Sequence, residues 1–267
     1  MLKSDIRSAG YDHQDYLRDI RFNLPHGRIM AVIGPNGSGK TTLIRALSGV
    51  LPHVEGSVSI NGTDLLAAGE QERARLLAVV PQSTHIPPAF SVEEVVLLGR
   101  SPHLNWLGNT SRHDTDIAEE AMRRTDILGL RNRLCGELSS GERQRVILAR
   151  ALAQDTPVLL MDEPTSHLDL RYQVEILSLA RELALEGDKT MLAAMHDLNL
   201  AALFSDEVLA MKDGQAVASG LTDEILTAEK IEEIYGLPVA VLDAPGGGQR
   251  VIIPRIPPSP VRTAGLL

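Results

Sequence analysis

Cysteine is scarce in this sequence, and it lacks apolar runs long enough to cross a membrane. The single cysteine, Cys135, excludes an internal disulfide and favours a reducing compartment. The first residues, 1–5, lack the apolar stretch of a secretion signal, and no run approaches the roughly 18 apolar residues of a membrane span. We therefore expect a cytoplasmic protein that meets a membrane only through partners.

The sequence also has fewer basic residues than acidic ones. The 26 lysines and arginines are outnumbered by 35 aspartates and glutamates, which gives a formal net charge of −9. A nucleic-acid binder needs clustered cations against the phosphate backbone, and here the basic residues are scattered among acids. The composition, 43% hydrophobic and 23% charged, is that of an ordinary globular protein. We predict no nucleic-acid partner.

A glycine-rich run follows the apolar segment 29–33. It fits the pattern G-x-x-x-x-G-K-[ST] and consists of Gly34, Pro35, Asn36, Gly37, Ser38, Gly39, Lys40 and Thr41, with Thr42 next in the chain. Glycines let successive backbone N–H groups turn towards an anion, and the helix expected near Gly39 adds its positive N-terminal end. Lys40 would reach the β- and γ-phosphates of a nucleotide, and the Thr41 hydroxyl would ligate Mg²⁺. The run predicts an NTPase phosphate loop rather than a flexible surface turn.

Two adjacent acids end another apolar segment, 158–161. Asp162, at the carboxyl end of this predicted strand, would hold the Mg²⁺ shell. Glu163, one residue further out, can face an attacking water as a general base. Adjacent acids are common on surfaces, but their place after a buried strand downstream of a phosphate loop favours the catalytic interpretation.

Strand and helix patterns alternate along much of the chain. The strands predicted at 77–80, 158–161 and 189–195 are mainly apolar rather than alternating, which predicts an α/β fold with a parallel sheet covered by helices. Alternating segments within 1–28 and 54–62 predict an antiparallel β subdomain beside this P-loop NTPase core.

The region from about 83 to 150 has a different texture and predicts an inserted helical subdomain. A capping box at Ser91 opens one helix, and spacing predicts a second over 116–128. The intervening 99–108 is loop-like. A further capping box at Ser139 starts a helix through 153.

The last part of the chain carries weaker signals. We expect Thr222 to cap a helix and a further helix to run to Gly236. The nucleotide-binding domain would then occupy 1–236. The tail, 237–267, is rich in Pro and Gly, with 250–253 as its one strand-like segment, and is predicted to be a short C-terminal extension.

Seven short motifs resemble those of ABC transporter ATPase subunits and occur in that family's order. They are Tyr11 (A-loop), 34–42 (Walker A), Gln82 (Q-loop), 138–142 (signature), 162–164 (Walker B), 166–169 (D-loop) and His196 (switch histidine). The resemblance implies the ABC ATPase fold, with ATP and Mg²⁺ as cofactors. It also implies a head-to-tail dimer, in which each ATP lies between the Walker motifs of one copy and the signature of the other.

The resemblance assigns roles to individual residues. Glu163, His196 and Gln82 would be catalytic, and Thr41, Gln82 and Asp162 would surround Mg²⁺. The nucleotide would contact the residues of the phosphate loop given above together with Tyr11, Ser139, Ser140, Gly141, Glu142 and Asp169. The family's usual signature is Leu-Ser-Gly-Gly-Gln, so Ser140 and Glu142 are departures. Tyr11, between Gly10 and Asp12, is expected in a loop.

The predicted helix start at Ser139 has two interpretations. Its free N–H groups and hydroxyl offer an anion site suited to a γ-phosphate. Alternatively, Ser139 only caps its own helix with Glu142, and both roles can hold together.

The segment 97–108 with 112–114, and the runs 164–170 and 196–199, resemble ATPase subunits that import ferric siderophores, haem and cobalamin. This likeness implies two membrane-spanning permease subunits, an indirect partnership with a substrate-binding protein, and a peripheral position on the cytoplasmic face of the membrane. Two other interpretations stay open. One is a soluble ABC-type ATPase, such as one serving iron–sulfur cluster assembly, and the other is a nucleotide-dependent clamp without turnover.

Overall fold

The computed structural model describes residues 1–11, 14–82, 86–104, 108–166, 168–187, 189–244 and 250–255. Its strands are β1 (Leu2–Tyr11), β2 (Gln14–Leu24), β3 (Ile29–Ile33), β4 (His53–Ile60), β5 (Thr63–Asp64), β6 (Leu77–Val80), β7 (Val158–Asp162), β8 (Thr190–Ala194), β9 (Glu207–Lys212), β10 (Gln215–Leu221), β11 (Val239–Asp243) and β12 (Arg250–Pro254). Its α-helices are α1 (Lys40–Leu47), α2 (Glu70–Leu76), α3 (Val92–Leu97), α4 (Arg112–Arg124), α5 (Ser140–Ala153), α6 (Leu170–Leu185), α7 (Leu198–Phe204), α8 (Thr222–Ile225) and α9 (Ala228–Tyr235).

The main sheet joins a parallel core to an antiparallel end. Its strand order is β5-β4-β1-β2-β10-β9-β3-β8-β7-β6. β3, β6, β7 and β8 pair in parallel and β9 pairs in parallel with β3, whereas β1 pairs antiparallel with β2 and β4. The two parts meet at a single register position, where Gln215 of β10 lies opposite Arg18 of β2. The predicted parallel core and antiparallel region are confirmed, as one continuous sheet.

Burial of both sheet faces explains why the core strands are apolar at every position. Along β3, Ile29, Ala31 and Ile33 belong to one apolar cluster, and Met30 and Val32 belong to another on the opposite face. A strand covered on both sides has no solvent face to hold polar residues. This packing fixes the strand ends from which the site residues project.

The helices inserted between β6 and β7 differ in part from the sequence-based expectations. The box at Ser91 starts α3 as predicted. The next helix, α4, spans Arg112–Arg124 rather than 116–128, because Ser111 and Asp114 form a capping box at its start. The segment expected to be a loop forms a 3₁₀ helix at Leu98–His103. Trp106, in the same segment, lies outside the described residues.

Two expectations for the C-terminal region are wrong. Thr222 is the first residue of α8 rather than its cap, and its hydroxyl donates to the Ser205 carbonyl at 2.9 Å. The tail contains a second strand, β11, which pairs antiparallel with β12. β12 also docks on α7, since Ile252 N donates to Asn199 Oδ1 at 2.7 Å and Asn199 Nδ2 donates to the Ile252 carbonyl at 3.3 Å.

Helix length also bears on membrane crossing. α6, with 16 residues, is the longest helix among the residues that the structure describes. None of these helices is long and apolar enough to span a bilayer.

Candidate functional site

The phosphate loop lies between the end of β3 and the start of α1, as predicted. Gly34 has φ +151°, and a Cβ there would lie 2.1 Å from the Met211 carbonyl oxygen, so this position requires glycine. Ser38 N donates to the Pro35 carbonyl at 3.1 Å, and Gly214 N donates to the Ser38 carbonyl at 3.1 Å. These backbone hydrogen bonds hold the loop in its conformation.

Lys40 places a cation inside this loop. The residue is 5% exposed, and its Nζ donates to the carbonyl oxygens of Gly34 at 2.8 Å and Pro35 at 3.0 Å. Burial lowers the pKa of Lys40, and the nearby carboxylates of Glu163 and Asp162 oppose that shift. Two neutral carbonyls are weaker partners for an ammonium than an anion. The cation can therefore exchange them for phosphate oxygens.

A second group in the loop has an unused polar atom. Ser38 Oγ is the one buried side-chain polar atom without a hydrogen-bond partner in the described part of the chain. A buried hydroxyl without a partner costs free energy unless something pairs with it. Its place in the loop makes an anionic oxygen a fitting partner.

Thr41 and Asp162 form a pair of hard oxygen ligands. Thr41, on α1, donates from Oγ1 to Asp162 Oδ1, at the end of β7, at 3.0 Å. Asp162 is 7% exposed, and burial raises its pKa. A hydroxyl beside a carboxylate is a donor set that suits Mg²⁺, which keeps several waters and takes few protein ligands. The residues present therefore fit this ion.

Glu163 is held by groups from two other segments and from its own loop. Its carboxylate accepts from Gln82 Nε2 at 2.5 Å and from Ser166 Oγ at 3.0 Å, and it contacts His196 Nε2. Its φ of +50° is uncommon for a residue other than glycine. Glu163 N donates to the Ala194 carbonyl at 3.2 Å, at the end of β8. The structure thus gathers the three predicted catalytic residues at one carboxylate.

Several of these groups line one cavity of about 460 Å³, whereas Ser38, Asp162 and Ser166 do not. Its lining residues are Tyr16, Asn36, Gly37, Gly39, Lys40, Thr41, Thr42, Gln82, Glu163 and His196. Parallel strands bring their carboxyl ends to the same edge of a sheet, which is why segments far apart in sequence meet here.

The two tyrosines near the cavity are arranged differently from the prediction. Tyr11 is the last residue of β1 rather than part of a loop, and its hydroxyl accepts from Arg45 Nη1 at 2.9 Å. Tyr16, which the sequence did not single out, lines the cavity. The two rings meet edge to face at 5.7 Å between centroids. Together they offer an aromatic surface beside the phosphate loop.

The signature residues do not line this cavity. Ser139 caps α5 by accepting from Glu142 N at 3.2 Å, and Ser139 N donates to Glu142 Oε2 at 2.7 Å. Hydrogen bonds from the Ser139 backbone N–H and hydroxyl to its carboxylate lower the pKa of Glu142. Asp169 likewise caps α6, accepting from Tyr172 N at 3.1 Å. His167, between these motifs, lies outside the described residues.

Comparison with known proteins identifies the family. The family model described as ABC transporter matches residues 17–166, which is more than half of the 267 residues. The chain belongs to the ABC transporter family. As an ABC ATPase domain it binds nucleotide, and the family and fold predicted from the sequence are confirmed.

Two transport ATP-binding proteins are similar in sequence to this ABC subunit. The ferric enterobactin transport ATP-binding protein FepC of Escherichia coli is 36% identical over 253 residues, covering 95% of this chain and 93% of that protein. The cobalamin import ATP-binding protein BtuD of Halobacterium salinarum is 40% identical over 250 residues, or 94% of this chain. The ABC subunit spans 62% of the length of that second relative.

A solved structure agrees with the fold. It is described as an inward-facing conformation of a metal-chelate type ABC transporter, and it superposes on the ABC subunit with a TM-score of 0.82 at 30% sequence identity. The match covers 96% of this chain and 97% of that chain.

Proposed function

We propose that this ABC subunit hydrolyses MgATP to energise import of an iron chelate, haem or cobalamin through separate membrane subunits. The observation that carries the proposal is the cavity lined by the buried Lys40 and by Glu163, whose carboxylate contacts Gln82 and His196. The unpartnered Ser38 hydroxyl belongs to the same phosphate loop as Lys40. This arrangement supplies both groups that bind phosphates and a general base beside them. The import class is supported by the relatives.

Phosphate binding begins with the loop. Lys40 would leave the carbonyls of Gly34 and Pro35 for the β- and γ-phosphate oxygens. Ser38 Oγ and the loop N–H groups would donate to the same anion, and the N-terminus of α1 adds its partial positive charge. Desolvated donors of this kind are worth more inside a cavity than in water.

The Thr41 hydroxyl and the Asp162 carboxylate would hold Mg²⁺, with Gln82 beside them. When bound, the ion neutralises charge on the phosphates during transfer. The Thr41 hydroxyl can keep donating its proton to Asp162 while the lone pairs of its oxygen face the ion.

Glu163 would act as the general base. Its carboxylate takes a proton from water while the water oxygen attacks the γ-phosphorus and the bond to ADP breaks. Gln82 and Ser166, which now donate to this carboxylate, hold its orientation, and His196 would turn a ring N–H towards the γ-phosphate.

A second copy would complete the site. We propose that Ser139, Ser140, Gly141 and Glu142 of the partner, at the N-terminus of its α5, cover the γ-phosphate, with the partner's D-loop residue Asp169 nearby. The start of α5 carries a partial positive charge and free N–H groups. Tyr11 and Tyr16 would flank the adenine base.

The membrane subunits would dock beside this site. A cleft of about 900 Å³ adjoins the cavity, and it shares Thr41, Gln82 and Asp162 with the proposed metal site. Val50, on its rim, is 70% exposed. A helix of a permease seated in this cleft would sense the state of the nucleotide through Gln82. The subunit would then lie peripherally on the cytoplasmic face of the membrane, and copurification from detergent with a multispan partner tests this placement.

Steady-state ATP turnover tests the assigned chemistry. Glu163→Gln should reduce the rate by about a hundredfold or more while nucleotide binding persists, because the base is lost and the cradle is kept. Lys40→Ala should reduce binding itself. Glu55→Gln, on the exposed surface of β4, is the matched control and should turn over normally. Wild-type rates in both site variants would show that hydrolysis takes place elsewhere.

A further inference from the structure

The first residue of the phosphate loop has a contact from the far end of the chain. Gly34 N donates to the hydroxyl oxygen of Tyr235 at 2.9 Å, across a sequence separation of 201 residues. Tyr235 is the last residue of α9, and its ring packs against the larger apolar cluster of the core. A half-buried ring that accepts from a backbone N–H through its hydroxyl is placed by packing as well as by the hydrogen bond.

Gly34 is held on its other side by Lys40, the proposed phosphate-binding lysine. Its carbonyl oxygen accepts from Lys40 Nζ at 2.8 Å, and the Met211 carbonyl oxygen lies close enough that a Cβ at this position would clash with it. In the proposed function Lys40 turns away to the phosphates. The hydrogen bond to Tyr235 would still hold the Gly34 N–H when Lys40 has moved.

α9 is itself anchored at both ends. Thr227 caps its first turn by accepting from Lys230 N at 3.4 Å, and Lys212 Nζ donates to the Glu233 carbonyl at 2.6 Å near its last turn. Ile231 and Ile234 are buried. Tyr235 is therefore delivered to the loop by a fixed element rather than by a free tail.

We propose that Tyr235 is a positioning residue for the phosphate loop, and that its hydroxyl sets nucleotide affinity by fixing the Gly34 peptide. The inference rests on the proposed function, because it assigns Tyr235 to the phosphate loop that would bind the nucleotide, without contact to the nucleotide itself. Burial raises the pKa of Tyr235 to about 12, so the phenol stays neutral near pH 7 and keeps its lone pairs for the Gly34 N–H.

Tyr235→Phe tests the proposal, since it removes one oxygen and keeps the ring. We expect the Kd for MgADP and the KM for ATP to rise about five- to tenfold, with kcat changing less than about twofold, because one hydrogen bond to the loop is lost and the catalytic groups stay. The Gly34 amide resonance should shift in the ¹⁵N spectrum of the full-length protein.

Thr227→Ala is the matched control. It removes the cap at the opposite end of the same helix, so it should lower the melting temperature and leave the Kd and the Gly34 resonance unchanged. Equal loss of affinity in both variants would overturn the inference, because the effect would then reflect helix stability.

Lys40→Ala distinguishes a failure of the role proposed for Tyr235 from a failure of the proposed function. Weak binding in Lys40→Ala together with wild-type Kd and KM in Tyr235→Phe would overturn the role of Tyr235 and leave the proposed function standing. Wild-type affinity in Lys40→Ala would overturn the proposed function, and the role of Tyr235 with it.

Discussion

The phosphate loop and the tip of α5 are both helix N-termini, yet they differ in what surrounds them. At the loop, Lys40 and Asp162 are buried, and Ser38 keeps an unused hydroxyl. At the tip of α5, Ser139 and Glu142 lie at the surface and satisfy each other. The phosphate loop thus has its phosphate-binding groups in place within a single chain. In the proposed function this second region acts against the phosphate loop of a second copy.

The two regions are also stabilised by different means. The loop rests on strands buried on both faces. The helical insertion instead contains a buried ion pair, in which Arg100 Nε lies 3.0 Å from Asp114 Oδ1 and Arg100 Nη1 donates to the Ala153 carbonyl at 2.8 Å, at the end of α5. Disturbing this pair should therefore weaken the insertion and spare the loop.

The largest effect is expected for Asp114→Ala. It leaves the Arg100 charge buried without its partner, which should lower the free energy of unfolding by about 3–5 kcal/mol. Urea denaturation measures this, and MgADP affinity of the folded protein should not change. Asp5→Ala, which breaks an exposed pair with Arg21, should cost less than about 1 kcal/mol. Equal costs for the two variants would contradict a special role for the buried pair.

Lowering the pH provides a second test of the contribution of Asp114 to stability. Hydrogen bonds from the Ser111 hydroxyl and backbone N–H, with a smaller contribution from Arg100, lower the pKa of Asp114 from 3.8 to about 2. Because the folded pKa lies below the unfolded one, this contribution of about 2 kcal/mol is present above pH 3.8 and is lost as the pH falls towards 2. The difference between wild type and Asp114→Ala should narrow over that range.

A smaller effect is expected for Ser139→Ala. Loss of the cap should cost about 1 kcal/mol of stability, and loss of the proposed γ-phosphate contact should reduce turnover by about ten- to hundredfold. ATPase assays and thermal melts measure both. MgADP affinity of a single copy should stay unchanged.

Ser91→Ala is the matched control for that variant. Ser91 and Glu94 form the same capping box at α3. Its loss should cost similar stability and leave turnover intact. If both variants lose turnover alike, the signature serine acts only as a cap.

Local sequence patterns predicted many features of the phosphate loop and of the start of α5. The loop sequence, the acids after an apolar strand and the capping boxes at Ser91 and Ser139 are features of neighbouring residues, so the chain displays them directly. The start of α4 was missed because its box uses Asp114 where Glu is usual. A period-based boundary was then placed four residues too late.

Long-range placement was beyond such patterns. β11 depends on pairing with β12 across a Gly-rich segment, and nothing local in 239–243 indicates that partner. Tyr16 and Tyr235 reach the cavity region only through the sheet register and the packing of α9. Their roles follow from tertiary contacts, which the linear sequence does not display.

The association state of Glu163→Gln tests the central claim that two unlike halves form one site. With saturating MgATP, sedimentation should show a dimer, because the uncleaved nucleotide joins the loop of one copy to the Ser139 helix tip of the other. Without nucleotide, or with Ser139→Ala added, the dimer should weaken. A protein that binds MgATP fully and remains a monomer would contradict the account.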